Sequence, residues 1–86
     1  MVEKSVTFTS GSGLHMHSAS ELCDIVKLFS GEALIIYENK TANVKSILNL
    51  LSMTITKNAR VTIQVSGDGE EQIADKIANL ICNLGD

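Results

Sequence analysis

The spacing of apolar and polar residues predicts seven elements, and four of them lie in the first half of the chain. Alternation predicts a half-buried strand at Ser5 to Thr9, and helical spacing predicts an amphipathic helix from Met16 to Phe29. Two further strands are predicted, a β-branched and apolar one at Ala33 to Tyr37 and a partner strand at Lys40 to Val44. Glu38-Asn39 between them is typical of a tight hairpin turn.

The second half adds a short apolar helix at Ser46 to Met53 and a cleanly alternating strand at Arg60 to Ser66. Gly67-Asp68-Gly69 then turns the chain into a last helix that runs from Glu70 to about Leu84. The resulting order is β-α-β-β-α-β-α. Helices gathered on one face of a mainly antiparallel sheet predict an α+β two-layer domain.

Several apolar residues break the expected pattern. Alternation along the second strand places Leu34 and Ile36 on the open face of the sheet, where we expect a local apolar patch. Ile25 and Leu28 lie off the core stripe of the first helix. These positions are either scattered surface residues, which are ordinary, or a surface for self-association or a partner.

Composition narrows the class of protein. The chain has 86 residues, 44% hydrophobic and 20% charged, so residues 1–86 are predicted to form a single globular domain. Net charge is −3, Arg60 is the only arginine and there are only three aromatic residues, so direct nucleic-acid binding is not expected. The longest apolar run, Ala33 to Tyr37, is too short for a membrane helix, and the N-terminus lacks the apolar segment of a secretion signal. Cys23 and Cys82 fall in apolar-periodic stretches and resemble buried thiols, which favours a reducing, cytoplasmic location.

The first candidate site is His15, which follows Gly13-Leu14 and precedes a predicted helix. A helix N-terminus leaves backbone N–H groups unpaired, and these donors favour an anion. A histidine there is suited to phosphoryl transfer because its ring nitrogen is nucleophilic and forms a labile phosphoramidate. The alternative is a simple boundary residue. A metal site is disfavoured, because His15 and His17, even with Cys23, make a thin ligand set.

The second candidate site is Ser46, which opens the short helix. It either caps that helix or is a phosphorylation switch, since added negative charge is favourable at a helix start. A phosphate at this position would also disrupt a docking surface built from Ile47, Leu48 and Leu51.

Two motifs carry a resemblance to a known family. Gly13-Leu14-His15, followed by Ala19 and the amphipathic helix, resembles the histidine-containing phosphocarrier proteins (HPr) of the bacterial sugar phosphotransferase system. The stretch Tyr37 to Leu51 (YENKTANVKSILNLL) resembles the segment that leads into the second helix of the same family. The resemblance covers essentially the whole chain and implies an open-faced β-sandwich, with three helices on one face of a four-stranded antiparallel sheet.

The resemblance implies a specific activity. Enzyme I, charged by phosphoenolpyruvate, would phosphorylate His15, and His15 would pass the group to a IIA domain of a sugar permease. In some relatives a serine kinase/phosphorylase modifies the residue that matches Ser46, and that form acts with a transcriptional regulator of catabolite genes. Ile47, Leu48 and Leu51 match the apolar surface to which these partners dock. No cofactor is implied.

The active-site motif departs from the family pattern His-x-Arg-Pro-Ala. This chain has His15-Met16-His17-Ser18-Ala19. An arginine would grip a phosphoryl group with two donors, whereas a neutral imidazole at His17 offers one. Ser18 in place of proline restores an N–H and adds a hydroxyl, which would cap the helix or contact the phosphate. Two functions remain: a carrier whose anion site is formed by Met16, His17 and Ser18, or a regulatory HPr-like protein that acts through Ser46 with little or no transfer at His15.

Overall fold

A computed structural model describes residues 1–8, 14–56 and 58–83 of the protein. It confirms the predicted order of strands and helices. The elements are β1 (Val2–Thr7), α1 (Met16–Val26), β2 (Glu32–Tyr37), β3 (Lys40–Asn43), α2 (Ile47–Ser52), β4 (Arg60–Ser66) and α3 (Glu70–Cys82).

The four strands form one antiparallel sheet in the order β1-β4-β2-β3. The central strands pair with Ile35 opposite Ile63, and both side chains are fully buried. Helix α3 packs on β1 and β4, and α1 packs on both α2 and α3. This layer covers one face of the sheet, so the predicted α+β two-layer sandwich is confirmed.

The hydrophobic core lies between the sheet and the helices. Alternate residues of β2 and β4 point into it, as the alternation of apolar residues predicts. Its largest fully buried side chains are Phe8, Leu22, Ile35, Leu50, Ile63, Ile77, Ile81, Val26, Val44, Val61 and Val65.

The largest boundary differences from the sequence prediction concern β1 and α1. Strand β1 already begins at Val2, because its whole length pairs with β4, starting with Val2 opposite Val65. Helix α1 ends at Val26 rather than Phe29, since the Phe29 N–H donates to Val26 O at 3.0 Å in a tighter turn. That turn carries the Phe29 side chain into the core, so its apolar spacing was a sign of burial and not of helix.

Several sequence expectations about burial need correction. Cys23 is only half-buried and Cys82 is exposed, so the prediction of two buried thiols is wrong. Ile25 is half-buried and packs against the core, in a helix that contacts both α2 and α3, whereas Leu28 is 94% exposed as expected. Thr9, Gly13 and Leu84 lie outside the described residues.

The open face of the sheet carries the expected apolar positions. Leu34 and Ile36 are half-buried and alternate with the buried Ala33 and Ile35. In the part of the chain that the structure describes, no helix is long and apolar enough to cross a membrane.

Candidate functional site

His15 lies at the N-cap of α1, with an extended backbone (φ −134°, ψ −179°). The residue before it, Leu14, is buried, and its N–H donates to Ile55 O at 3.0 Å. On the other side Ser18 and Ala19 are fully buried. His15 is thus held between buried anchors while its own side chain is exposed.

Ser18 fixes the backbone around His15. The His15 N–H donates to Ser18 Oγ at 3.0 Å, and the Ser18 hydroxyl donates back to His15 O at 3.1 Å. The pair forms a capping box in which the His15 imidazole faces the backbone N–H of Ser18. Of the two roles expected for the Ser18 hydroxyl, the structure shows the capping one, because both of its hydrogen bonds go to His15.

The first turn of α1 supplies donors for an anion. The N–H groups of Met16 and His17 have no acceptor inside the helix, and none among the described residues outside it. The N–H of Ala19 is already used, since it donates to His15 O at 2.8 Å. Met16 and His17 therefore present two unpaired N–H groups at the positive end of the helix dipole, an arrangement that can accept an anion.

His17 is the second imidazole of the site. Its ring lies nearly parallel to that of His15, with an interplanar angle of 12° and centroids 6.4 Å apart. Its Nε2 atom lies 2.9 Å from Glu21 Oε1, one helical turn further along α1. Sequence reasoning missed Glu21, although the spacing of four residues on a helix is the signal that would have found it.

Ser46 lies at the N-cap of α2 and is half-buried. Its Oγ accepts the Asn49 N–H at 3.3 Å, so the capping interpretation of Ser46 is confirmed. Ser46 O also accepts the Leu50 N–H at 3.1 Å, which anchors the helix start to a fully buried leucine.

Lys45 joins the start of α2 to α1 and was not predicted. Lys45 Nζ donates to Phe29 O at 2.6 Å, and Lys45 O accepts the thiol hydrogen of Cys23 at 3.3 Å. Both contacts join residues far apart in sequence, so no local pattern could reveal them. They hold the segment before Ser46 against α1 and the turn that follows it.

The predicted docking residues differ in exposure. Leu48 is 80% exposed, whereas Ile47 and Leu51 are half-buried and pack partly against the core. Met16, at the start of α1, is 65% exposed. Helices α1 and α2 pack against each other, so these side chains belong to one helical layer. Over the described ranges no enclosed cavity is present, and no three His, Cys, Asp or Glu side chains cluster as metal ligands.

The structure thus combines an α+β sandwich with an exposed histidine at the N-cap of its first helix. Residues 2–83 match the family described as "PTS HPr component phosphorylation site". The chain therefore belongs to the HPr family of the phosphotransferase system.

Individual relatives agree with this assignment. The chain is 30% identical over 84 residues to the phosphocarrier protein HPr of Haemophilus influenzae, covering 98% of this chain and 99% of that protein. The crystal structure of HPr-C-His from Thermoanaerobacter tengcongensis has a TM-score of 0.89 at 27% identity, covering 94% of this chain and 91% of the other. A histidine-containing phosphocarrier protein, from a structural study of the divergence of Mycoplasma from Gram-positive bacteria, has a TM-score of 0.89 at 32% identity, covering 95% and 93%.

Proposed function

We propose that this protein is a phosphoryl carrier that accepts a phosphoryl group on His15 from enzyme I and delivers it to IIA domains of sugar permeases in the cytoplasm. The observation that carries the proposal is the exposed imidazole at the N-cap of α1, beside the N–H groups of Met16 and His17. Membership of the HPr family supports the same role.

The transfer requires little from the protein beyond an exposed His15 side chain and the backbone donors beside it. A ring nitrogen of His15 forms a bond to phosphorus while the bond between phosphorus and the donor breaks, and the ring proton passes to solvent. The new negative charge lies at the positive end of α1, where backbone donors stabilise it without reorganisation. The reverse sequence at a IIA acceptor restores the free imidazole.

Partner recognition is assigned to the apolar residues beside His15. Met16 and Leu48 expose most of their side chains, and Ile47 and Leu51 extend the same surface. Exposed apolar side chains on the helix that follows His15 and on the helix packed against it suit successive, short-lived complexes with a donor and an acceptor.

Labelling with enzyme I and radioactive phosphoenolpyruvate tests the carrier function. The wild-type protein is expected to acquire acid-labile label, His15→Ala is expected to acquire none, and His17→Gln is expected to retain label on His15. An ordinary HPr assayed in parallel checks the enzyme I preparation. Wild-type protein that stays unlabelled while the ordinary HPr is labelled would overturn the carrier function and leave the regulatory one.

We also propose that Ser46 is a regulatory phosphorylation site, read by a serine kinase/phosphorylase and by a transcriptional regulator of catabolite genes. The supporting observation is that its half-buried hydroxyl lies at the edge of the apolar surface, one residue before Ile47. A phosphate there adds a charge of about −2 and would repel partners that bind through apolar contacts.

Incubation with ATP and the serine kinase/phosphorylase is expected to give acid-stable label that is absent from Ser46→Ala. Ser52→Ala is the matched control, because Ser52 also lies on α2 but donates to Asn49 O within the helix. Label that persists in Ser46→Ala would contradict this assignment.

A further inference from the structure

The contact between His17 and Glu21 assigns a role to a residue that the carrier function alone does not require. His17 Nε2 and Glu21 Oε1 lie 2.9 Å apart, while His17 lies beside His15 with its ring nearly parallel. We propose that Glu21 is a positioning residue for His17, and that the two together replace a permanently charged side chain in holding the phosphoryl group on His15. This inference rests on the proposed carrier function.

The contact fixes which nitrogen of His17 is available. The 2.9 Å distance fits an Nε2–H that donates to the Glu21 carboxylate, which accepts only, and this leaves Nδ1 as the second ring nitrogen. In a neutral ring Nδ1 presents a lone pair, and a lone pair repels the oxygens of a phosphoryl group. His17 can donate to that group through Nδ1 only after the ring takes up a proton from solvent.

Glu21 would be the second anionic partner of such a ring in the phosphorylated protein. The imidazolium form would lie between two anions, the Glu21 carboxylate and the phosphoryl group, and would donate one hydrogen bond to each. In this arrangement Glu21 holds one side of the His17 ring while the other side meets the phosphoryl group on His15. A fixed guanidinium would need no such partner, because it is charged at all relevant pH values.

Among the described residues, Glu21 is the only charged side chain that pairs with His17. Helix α2, which packs on α1, has no ionisable side chain along Ile47–Ser52. Lys45, just before it, is held at Phe29 O by its Nζ. Helix α3 also packs on α1, but its acidic residues Glu70 and Asp75 pair with Met1 and Lys4, while Glu71 and Lys76 have no ion-pair partner within the described residues.

A competing role for Glu21 has the opposite sign. If the carboxylate only adds negative charge near the site, it repels the phosphoryl group, and its removal would favour phosphorylated His15. If it holds the imidazolium, its removal disfavours phosphorylated His15. The equilibrium between phosphoenolpyruvate with free carrier and pyruvate with phosphorylated carrier measures this difference directly.

The test compares Glu21→Gln with wild type at equilibrium with enzyme I, phosphoenolpyruvate and pyruvate. Glu21→Gln is expected to lower the equilibrium constant for phosphorylation of His15 about two- to fivefold, the range of an exposed ion pair. Asp24→Asn is the matched control, since it removes the same charge from an exposed position of α1. It is expected to leave the equilibrium unchanged.

Two further measurements separate positioning from a general effect of charge. In a His17→Arg background, Glu21→Gln is expected to cause no decrease, because arginine keeps its charge without Glu21. In ¹⁵N NMR spectra of the unphosphorylated protein, Glu21→Gln is expected to shift the ring nitrogens of His17 but not those of His15. An equilibrium constant that is unchanged or raised in Glu21→Gln, with wild type labelled normally, would overturn the role of Glu21 alone. Absence of label on wild type would overturn the carrier function as well.

Discussion

Gly31→Ala is expected to destabilise the protein by about 3 kcal/mol or more, the upper range for steric overpacking. A Cβ at this position would overlap the backbone oxygen of Ser66 and lie 2.7 Å from Phe29 Cζ and 2.9 Å from Gly67 Cα. Two of these neighbours are backbone atoms, one of Ser66 and one of Gly67. Because Ser66 pairs with Glu32, neither atom can move without distorting the β2–β4 pairing. The loss is large against the total stability of a small domain, about 5–15 kcal/mol.

Thermal and denaturant unfolding measure this effect, and the expected drop in the unfolding midpoint is about 12–24 °C. Gly69→Ala is the control for an added methyl group without a clash, because Gly69, the N-cap of α3 at φ 81°, has only Gln72 Oε1 near its missing Cβ, at 3.7 Å. It should cost only the strain of a left-handed alanine, about 1–2 kcal/mol. Equal losses for the two variants would show that the close approach of Gly31 to β4 is not what matters.

The close contact of Gly31 and Gly67 with Phe29 also explains why the sequence pattern predicted too long a helix α1. Phe29 continues the helical spacing of apolar residues, so the pattern extends the helix to that residue. In the structure Phe29 is buried beside Gly31 and Gly67, and the chain reaches this position through a turn after Val26. Spacing reports which residues are buried but not which backbone conformation buries them.

The parts of the site that depend on local chemistry were predictable. A histidine before an amphipathic stretch indicated a helix start, and Ser46 indicated a cap, because both signals act over three or four residues. Glu21 follows the same short-range rule from His17. The contacts of Lys45 with Phe29 and Cys23 span 16 and 22 residues and arise only when α1 and α2 pack together. The packing of α1 and α2 also determines how far Cys23 is buried, so its half-burial could not be predicted from local spacing.

The second large effect concerns two leucines of α2 that differ in exposure. Leu50 is fully buried and Leu48 is 80% exposed, although they lie two positions apart on one short helix. Leu50→Ala is expected to lower the free energy of unfolding by about 2–5 kcal/mol, because it removes core contacts and leaves a cavity. Leu48→Ala is expected to change it by less than about 0.5 kcal/mol.

The same two variants should have the reverse order of effects on phosphorylation by enzyme I. If Leu48 contacts the donor, its truncation is expected to lower kcat/KM about 5- to 30-fold, the cost of a moderate interface residue, mainly through a higher KM. Leu50→Ala, assayed well below its unfolding midpoint, is expected to stay within about twofold of wild type, since its side chain reaches no partner. If both variants lost activity only because less protein is folded, Leu50→Ala would lose more activity than Leu48→Ala. The crossed result therefore separates a docking surface from a helix that is merely well packed, and a normal KM for Leu48→Ala would remove Leu48 from the proposed interface.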